Sequence, residues 1–556
     1  MEAHGRVTEA ATEQPPEMAE NGAPEPDVID QEQASRGHGS ESFFILGEGL
    51  VSASRGGREP SPAPPTVTAT AAAQAPAFRF SRSGPKGGRI SRPARRKIAK
   101  AMTDAGGTDS TIPAGYTYLG QFVDHDMTFD RTKVALGEDV SPSELRQGRS
   151  PGLDLDSLYG AGPDDPASEK FYESDGRRLK MGRTQGLGGP PFQARDGFDL
   201  PRHPDRKLAT IPDFRNDENL IVAQTHLAFI RFHNRVVAEL ADVPAAQRFT
   251  RARRQVVKHY QWMIRHDYLP RICDPAVVDD VFANGRKFFE ADVDPTETPT
   301  MPVEFSVAAF RLGHSMIRSR YSWNLAFDNG QGTLPLLFDF SGTSGFLGKG
   351  SRLPSNWIAD WRRMYSFAQN ALKVPAAKSN LAKRIDTRLV DPLGQLPPGS
   401  FGLKQPPQDP LVANLAFRNL ERAAMMRLAT GQGMVQKLQN KGVAVAALTD
   451  AQIRDGSGGA SIAELTNAEE ATFLDRTPLW FYILREAELG GGRLAGVGAR
   501  IVAETFHRAI EGSRISILRD TDFKPRFGPD DATFDMRDLL FFAFEGKKEL
   551  LAPLGD

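Results

Sequence analysis

Hydrophobic residues recur along most of the chain at spacings of three and four, the period of an amphipathic helix. The period is clearest in three windows, residues 219–243, 254–272 and 494–512. Strict alternation of apolar and polar residues, which is typical of half-buried strands, is scarce. The pattern predicts a mainly α-helical body with little β structure, joined by long loops rich in proline and glycine such as 185–206 and 391–408.

Residues 1–76 lack the helical period. They hold nine prolines, and their only aromatic residues are Phe43 and Phe44, so they can bury little apolar surface to offset the entropy lost on ordering. We therefore expect residues 1–76 to be a disordered tail and residues 77–556 to form one domain. An apolar island in the tail, FFILGEG (43–49), is a candidate for docking on that domain.

Composition and charge narrow the classes of function. The formal net charge of -1 gives no electrostatic case for nucleic acid or an anionic membrane as the main partner. The sequence holds no apolar run of about 18 residues that could span a bilayer, and its N-terminus lacks the apolar core of a secretory signal, so a cytoplasmic location is the default expectation. The single cysteine, Cys273, excludes internal disulfides and metal clusters held by several thiolates of this chain. None of these features indicates an oligomeric state.

The stretch GQFVDHDMTFD (120–130) places a histidine between two aspartates. In a helix Gln121 and His125 would share a face, and Asp124 and Asp126 would lie about 100° to either side of the histidine. Three interpretations compete: the trio binds one metal ion, the aspartates are solvated surface charge, or each residue serves a different ligand. The divergent directions of the two carboxylates disfavour the first interpretation and leave the other two open.

A second acidic stretch, RSPGLDLDSLYG (149–160), places Ser150, Gly152, Asp154 and Asp156 at alternate positions of a loop. Side-chain and carbonyl oxygens at such spacing suit a hard cation such as calcium. The loop is not an EF-hand, because the glycine at its sixth position and the terminal glutamate are absent. An ordinary acidic turn explains the stretch equally well on its own.

Three further histidines are candidates for ligands. His226 and His233 lie seven residues apart on one face of an apolar helix, which favours packed and hydrogen-bonded core residues. His314 lies in AAFRLGHSMIRSRY (308–321), an amphipathic run in which a lone histidine is usually a core residue too. The local pattern alone therefore does not make any of the three a metal ligand.

The motifs GQFVDHD, LDLDSLYG, FRNDE, FRLGH and RNLER follow one another in this order between Arg89 and Leu540. This order resembles the animal-type haem peroxidases, also called the peroxidase–cyclooxygenase superfamily, and most of all their bacterial-like members without disulfides. The resemblance implies a mainly α fold, haem b and bound calcium. It also implies an enzyme that reduces hydrogen peroxide and oxidises small halide, pseudohalide or phenolic donors through a ferryl intermediate.

The resemblance assigns a role to each motif residue around the haem. On the distal side His125 would be the acid–base residue, with Gln121 and Arg215 in the same pocket. On the proximal side His314 would bind the haem iron and Asn419 would hold its other ring nitrogen. The resemblance also implies haem contacts from Arg311 and Arg422 near the propionates, ester links from Asp124 and Glu218 to haem methyl groups, and calcium ligands from Asp126, Ser150, Gly152 (through its carbonyl), Asp154 and Asp156.

Two departures from the family pattern bear on the activity. Asn219 follows Glu218 where some mammalian members carry a methionine that forms a third haem link, so we expect no such link and no efficient chloride oxidation. Arg311 stands three residues before His314, where cyclooxygenase-like members carry a radical tyrosine, which disfavours the alternative of a fatty-acid dioxygenase. A non-catalytic interaction protein on the same fold is a further alternative, disfavoured because His125, Arg215 and His314 are all retained.

Overall fold

The computed structural model describes residues 48–50, 78–103, 107–186, 197–203, 208–342, 347, 351–396 and 408–556. The tail predicted for residues 1–76 lies outside the described residues apart from 48–50, as do most of the two predicted loops. Residues 48–50 form a strand that pairs in parallel with the strand Asp130–Lys133, which follows the motif of His125. The C-terminal end of the apolar island therefore contacts the body, and its first residues, 43–47, lie outside the described part.

Helices dominate the described chain, which confirms the predicted fold class. They are α1 (Arg92–Met102), α2 (Gly115–Met127), α3 (Asp156–Tyr159), α4 (Leu220–Glu239), α5 (Ala245–Met263), α6 (Leu269–Ile272), α7 (Pro275–Asn284), α8 (Val303–Ser306), α9 (Gly313–Met316), α10 (Leu334–Asp339), α11 (Trp361–Met364), α12 (Leu415–Met425), α13 (Gly431–Gln439), α14 (Asp450–Arg454), α15 (Asn467–Asp475), α16 (Leu479–Leu489), α17 (Gly496–Glu511), α18 (Met536–Ala543) and α19 (Lys548–Leu551). The three windows with the clearest hydrophobic period correspond to α4, to α5 with α6, and to α17.

Helix α4 is the central element of the core. Its sequence is apolar on most faces, and the helix is buried along most of its length by α2, α5 and α18. The helix begins after Asn219, whose side-chain oxygen accepts a hydrogen bond from the backbone N–H of Val222 at 2.9 Å. A polar cap at the start and an apolar body therefore fix where the chain enters the core, next to the motif of Arg215.

A single π-helical turn, Ile264–Tyr268, joins α5 to α6. The hydrophobic pattern predicts one continuous helix here, because one added residue barely changes the spacing of apolar positions over so short a segment. The hydroxyl of Tyr268, at the end of the turn, lies where a Cβ on Gly120 would be only 2.2 Å away. Glycine at position 120 thus lets Tyr268 pack against the backbone of α2, the helix that carries His125.

The strands are short and form two-stranded ladders in the described chain. They are β1 (Glu48–Leu50), β2 (Phe80–Ser81), β3 (Asp109–Pro113), β4 (Asp130–Lys133), β5 (Gly182–Arg183), β6 (Phe198–Asp199), β7 (Met301–Pro302), β8 (Arg320–Tyr321), β9 (Gly332–Thr333) and β10 (Leu381–Lys383). The pairs β1–β4 and β2–β7 are parallel, whereas β3–β10, β5–β6 and β8–β9 are antiparallel. Within the part of the chain that the structure covers, no helix is long and apolar enough to cross a membrane.

Candidate active site

Four segments that are distant in sequence bring the motif residues together. Helix α2 carries Gln121, Asp124 and His125, and α9, which carries His314, packs against it. The 3-10 turn Phe214–Asp217 leads into α4, and α12 supplies the fourth segment. Helix α2 is formed as the spacing predicts, so Gln121 and His125 share one of its faces.

The imidazole of His125 is buried and neutral. Its Nδ1 lies 2.9 Å from Oδ1 of Asn216, and its Nε2 lies 3.8 Å from Oε1 of Glu218. Burial lowers the pKa of His125 to about 3, and the positive charge of Arg215 lowers it further. The contact with Glu218 is therefore not an ion pair at neutral pH, and His125 is held as an uncharged base.

Gln121 links the two chain segments beside His125. Its Nε2 donates to the carboxylate of Glu218, and its Oε1 accepts a hydrogen bond from Nδ2 of Asn219 at 2.9 Å. The amide of Asn219 is thus used twice, here and at the start of α4. Asn219 thus has a structural role, with its amide donor and acceptor both engaged, that a thioether could not fill.

Arg215 is fully buried, and its N–H groups point at the backbone of α2. Nη2 donates to the carbonyl of His125 and Nη1 to that of Thr128, both at 2.7 Å. Nε and Nη2 also donate to Asp213, at 3.0 and 2.6 Å. Arg215, the predicted distal arginine, thus joins the end of α2 to Asp213, and we call this arrangement the clamp. It fixes the backbone of His125, and its positive charge lowers the pKa of that histidine.

Asp213 is the counter-ion of this clamp. Arg149 donates to the same carboxylate at 2.6 Å, so that Asp213 lies between two buried guanidinium groups. Burial alone would raise the pKa of Asp213, but Arg215 and Arg149 outweigh it and hold the pKa well below its usual range. The charge of the clamp is thus balanced without solvent.

Asp124 and Asp126 point in different directions, as the helical geometry predicts. Asp124 is half-buried, accepts a hydrogen bond from Oγ1 of Thr128 at 3.0 Å, and has its pKa raised by burial against the pull of Arg311 and Arg215. Asp126 is fully buried on the other side of the helix, against the segment of α3. The interpretation of these aspartates as solvated surface charge is therefore wrong, and each serves a different environment.

The proximal motifs meet as predicted. Nδ1 of His314, at the start of α9, lies 2.9 Å from the amide nitrogen of Asn419 on α12. Which atom of the amide faces the ring is an assignment, and with the carbonyl oxygen toward an Nδ1–H the Nε2 lone pair is left for a metal. Burial and the nearby Arg311 lower the pKa of His314 to about 3, so the ring is neutral, as a metal ligand must be.

A narrow cleft beside Asp124 carries the two predicted arginines. Arg311 and Arg422 line it together with Thr128, Asp130 and Ser306, and the apolar walls are Phe80, Leu145, Val307 and Met426. Arg422 is paired with Asp130, and the buried hydroxyl of Ser306 has no hydrogen-bond partner among the described residues. Guanidinium groups and an unpartnered hydroxyl between apolar walls fit the carboxylates of an amphipathic ligand such as haem.

The predicted calcium ligands lie in one region, where protein groups satisfy most of their oxygens. Asp126 accepts hydrogen bonds from the backbone N–H groups of Leu155 and Ser157, both at 3.1 Å. Asp154 accepts from those of Arg514 and Ile515, at 3.0 and 3.2 Å. In the described part of the chain, no group of three or more His, Cys, Asp or Glu side chains is arranged to hold a metal ion.

Asp156 is the least satisfied of these carboxylates. Its Oδ1 pairs with Arg514 and lies 3.7 Å from Arg253, whereas its Oδ2 is buried without a hydrogen-bond partner among the described residues. Burial and the charge of Asp156 raise the pKa of Asp126 to about 7. Ser150 and Gly152 bond only to each other in this loop, through Gly152 N–H and Ser150 Oγ at 3.2 Å. The region thus carries an excess of negative charge, part of which is compensated by the ion pair between Arg514 and Asp156.

Comparison with known proteins identifies the class. Residues 111–340 match the family model described as animal haem peroxidase. The chain is 30% identical over 136 residues to a peroxidase-like protein of Margaritifera margaritifera, a match that covers 24% of this chain and 16% of that relative. Among solved structures it resembles peroxidase A from Dictyostelium discoideum, with a TM-score of 0.53 and 17% identity over 86% of this chain and 94% of the other. A fatty acid alpha-dioxygenase of Arabidopsis thaliana has a TM-score of 0.51 and 12% identity over 84% of this chain and 76% of the other.

The fold is thus the helical fold shared by these peroxidases and dioxygenases. The match of residues 111–340 to the animal haem peroxidase model confirms the resemblance indicated by the motifs. The matched residues include His125, Arg215 and His314 and end before Asn419. At identities of 17% and 12%, the likeness to the solved structures establishes the fold, and any activity has to be argued from the residues of the site.

Several residues of the site were not assigned from the sequence. Asn216 lies inside the motif FRNDE, and Thr128 and Asp130 closely follow the motif GQFVDHD, so the sequence could have indicated these three polar residues. Asp213 and Arg514 lie outside those motifs, and nothing in their local pattern distinguishes them from surface charges. Their partners become visible only when the chain is folded.

The clamp yields a prediction about stability. Replacing Arg215 by alanine leaves the buried carboxylate of Asp213 paired with Arg149 alone and leaves two backbone carbonyls without their donor. We therefore expect the free energy of unfolding to fall by about 3–5 kcal/mol. Denaturant unfolding followed by circular dichroism measures the change. Arg178→Ala, which removes an exposed arginine paired with Asp175, is the control and should cost less than about 1 kcal/mol. Equal effects of the two variants would contradict the clamp.

Proposed function

We propose that this protein is a haem-dependent peroxidase that reduces hydrogen peroxide and oxidises small donors. The observation that carries the proposal is a pair of neutral imidazoles on packed helices, His125 on α2 and His314 on α9, each with its Nδ1 held by an asparagine amide. When bound, haem would supply an iron centre that binds peroxide and passes its oxidising power to the donor. The residues of the chain account for the rest.

His314 is the residue we propose as iron ligand. It is neutral, and the amide of Asn419 fixes the plane of its ring. An amide partner orients the imidazole and, unlike a carboxylate, adds no negative charge to it. The guanidinium groups of Arg311 and Arg422 in the adjacent cleft are the groups we propose for the two propionates.

His125 is the residue we propose as acid and base. Because Nδ1 of His125 donates to Asn216, its Nε2 has a free lone pair. This nitrogen is able to take the proton from one oxygen of hydrogen peroxide and return it to the other oxygen, which leaves as water. Arg215 would serve this step by holding the carbonyl of His125 and by lowering its pKa, so that the ring stays uncharged. Halide, pseudohalide and phenolic donors all fit this proposal.

A fatty-acid dioxygenase is the second candidate, since a dioxygenase structure shares the fold. Arg311, three residues before His314, separates the two candidates. Its Nε donates to the carbonyl of Ser306 at 3.0 Å, and its charge acts on both Asp124 and His314. A charged guanidinium at this position serves haem carboxylates and supplies no phenol for radical chemistry, which favours the peroxidase.

The two histidines give the direct test of the proposal. We expect His314→Ala to abolish stable haem binding or to change the Soret band, because the axial ligand is lost. We expect His125→Ala to bind haem and to react with peroxide roughly 100- to 10,000-fold more slowly in stopped-flow experiments, since acid–base help is lost. His203→Ala, a histidine on the exposed surface, is the matched control. A wild-type spectrum in the His314 variant, or wild-type kinetics in the His125 variant, would refute the assignments.

The proposal extends to ester links between haem methyl groups and the carboxylates of Asp124 and Glu218. Both carboxylates lie beside His125: Asp124 is the preceding residue of α2, and Glu218 contacts Nε2 of His125 and Nε2 of Gln121. The raised pKa of Asp124 shows that burial opposes its charge, so conversion to a neutral ester would remove an electrostatic cost.

Acid–acetone extraction tests the ester links. After cycling with peroxide, the wild type should retain haem, and the Asp124→Ala, Glu218→Ala double variant should release it. Wild-type protein that has not met peroxide is the control and should release part or all of its haem. Complete release from cycled wild type would show that the two carboxylates are only polar groups of the pocket.

We also propose that calcium binds at Asp126, Ser150, Gly152, Asp154 and Asp156. In the described residues Oδ2 of Asp156 has no hydrogen-bond partner, and Asp156 and Asp126 repel each other, so this region favours the binding of a cation. Arg514 would leave Asp156 when the ion binds, because both cations compete for the same carboxylate. Such an ion would connect the loop of Asp154 to the residue after His125.

Calcium should therefore raise the melting temperature of the wild type. An ion that binds only the folded chain stabilises it by about 2.7 kcal/mol at a hundredfold excess over its dissociation constant. Asp154→Asn keeps an acceptor for only one of the N–H groups of Arg514 and Ile515 and weakens the ion site, so its melting temperature should respond less to calcium than that of the wild type. No change of the wild-type melting temperature between chelator and millimolar calcium would contradict the site.

A further inference from the structure

His125 is connected to a second buried histidine through one amide group. Oδ1 of Asn216 lies 2.9 Å from Nδ1 of His125, and Nδ2 of the same amide lies 3.0 Å from Nδ1 of His226. The relative exposures of the three residues are 4%, 0% and 0% in the order His125, Asn216, His226. The amide is thus shared by two imidazoles in a dry part of the core.

We propose that Asn216 and His226 are positioning residues that lock His125 in the tautomer whose Nε2 is free to accept a proton. This inference deepens the proposed peroxidase function and rests on it for its catalytic meaning. The lock itself is a property of three side chains of this protein and does not depend on the haem.

The lock follows from the hydrogen-bonding capacity of an amide. A carbonyl oxygen only accepts and an NH₂ group only donates, so one of the two Nδ1 atoms must carry a proton and the other must be bare. Each ring is buried in the core, which disfavours the charged imidazolium, so each ring is neutral and carries one proton. The two histidines are therefore held in opposite tautomers whichever way the amide lies.

His226 has no other hydrogen bond that could set its tautomer. Its Nε2 is buried without a hydrogen-bond partner in the part of the chain that the structure describes. The ring is packed edge-on against Phe122 of α2, with ring centres 5.7 Å apart and an interplanar angle of 77°. Packing thus fixes the imidazole in place and keeps its Nδ1 within hydrogen-bond reach of the amide of Asn216.

The site needs such a lock because Glu218 favours the wrong tautomer of His125. A carboxylate 3.8 Å from Nε2 attracts a proton to that nitrogen, and a protonated Nε2 cannot act as a base. In the orientation found, Nδ1 of His125 donates to Asn216, and the amide NH₂ donates to His226. His125 can move its proton to Nε2 with both hydrogen bonds kept only if the amide flips and His226 moves its own proton to Nδ1 at the same time.

Isosteric variants of His226 separate the lock from mere packing. His226→Asn retains an oxygen that can accept from Asn216, and His226→Leu has nearly the same size and no acceptor. We expect the asparagine variant to keep the peroxide kinetics of the wild type. We expect the leucine variant to react more slowly, because leucine offers no acceptor and the amide of Asn216 is then free to flip. The rate should fall in proportion to the fraction of molecules whose amide has flipped, since only His125 with a bare Nε2 reacts.

Nitrogen NMR of histidine-labelled full-length protein, with any haem in its diamagnetic, carbon-monoxide-bound reduced form, measures the tautomers directly. Wild type should show Nδ1–H at His125 and Nε2–H at His226, and His226→Leu should show a mixture at His125. Asn216→Asp, whose carboxylate accepts from both rings, should move the proton of His226 to Nδ1 and leave that of His125 in place. This variant tests the lock even if His226→Leu fails to fold.

The outcomes separate the lock from the proposed function. Reversed tautomers, with Nε2–H at His125 and Nδ1–H at His226, would overturn the lock, as would the same tautomer at both histidines of the wild type or an unchanged His125 in His226→Leu. The predicted pair of tautomers in a wild type that binds no haem or ignores peroxide would support the lock and refute the peroxidase. Opposite tautomers together with equal peroxide kinetics in the Asn and Leu variants would refute the catalytic role of His226.

Discussion

The rest of the site depends on the buried carboxylate of Asp213. It balances the charges of Arg215 and Arg149 in a region with almost no solvent, and this balance allows Arg215 to hold the carbonyls of His125 and Thr128. A buried guanidinium without that carboxylate would be strongly unfavourable. The end of α2 is therefore held by hydrogen bonds from an arginine more than 80 residues further along the chain, whose charge Asp213 balances.

The same constraint explains the charge state of the pocket. Burial and the nearby positive charge keep His125 uncharged, and burial with Arg311 does the same for His314. On each side an asparagine, Asn216 or Asn419, contacts Nδ1 of the ring. An amide orients an imidazole and stabilises its protonated form less than a negatively charged carboxylate would. Two neutral rings with defined orientation are what one metal ligand and one base require.

The fold and the motif residues were largely predictable from the sequence, because both depend on local patterns. The hydrophobic period fixed the positions of α4, α5 and α17, and the helix of GQFVDHD follows from the same rule. The divergence of Asp124 and Asp126 also follows from helical geometry alone. The match to the family model over residues 111–340 confirms the resemblance that the order of motifs indicated.

The contacts between distant segments were not predictable in the same way. The sequence indicated Arg215 as a group facing a substrate, whereas in the fold its N–H groups bond to the backbone of α2. Arg514 lies 358 residues from Asp156, and no local pattern announces their pairing. The second partner of Asn216 is likewise set by the packing of α4 against α2. Side-chain partners of buried polar groups depend on tertiary structure, which periodicity and motif order do not encode.

The central claim is that the fold holds His125 as an uncharged base, and the pH dependence of its reaction with peroxide tests it most directly. Because the pKa of His125 is lowered to about 3, the neutral form predominates at every pH above that value. For the haem-loaded full-length chain, the account predicts a rate constant that stays flat as the pH falls from about 8 to about 4.5. A rate constant that falls with a midpoint near 6.5, the usual pKa of an exposed histidine, would contradict it.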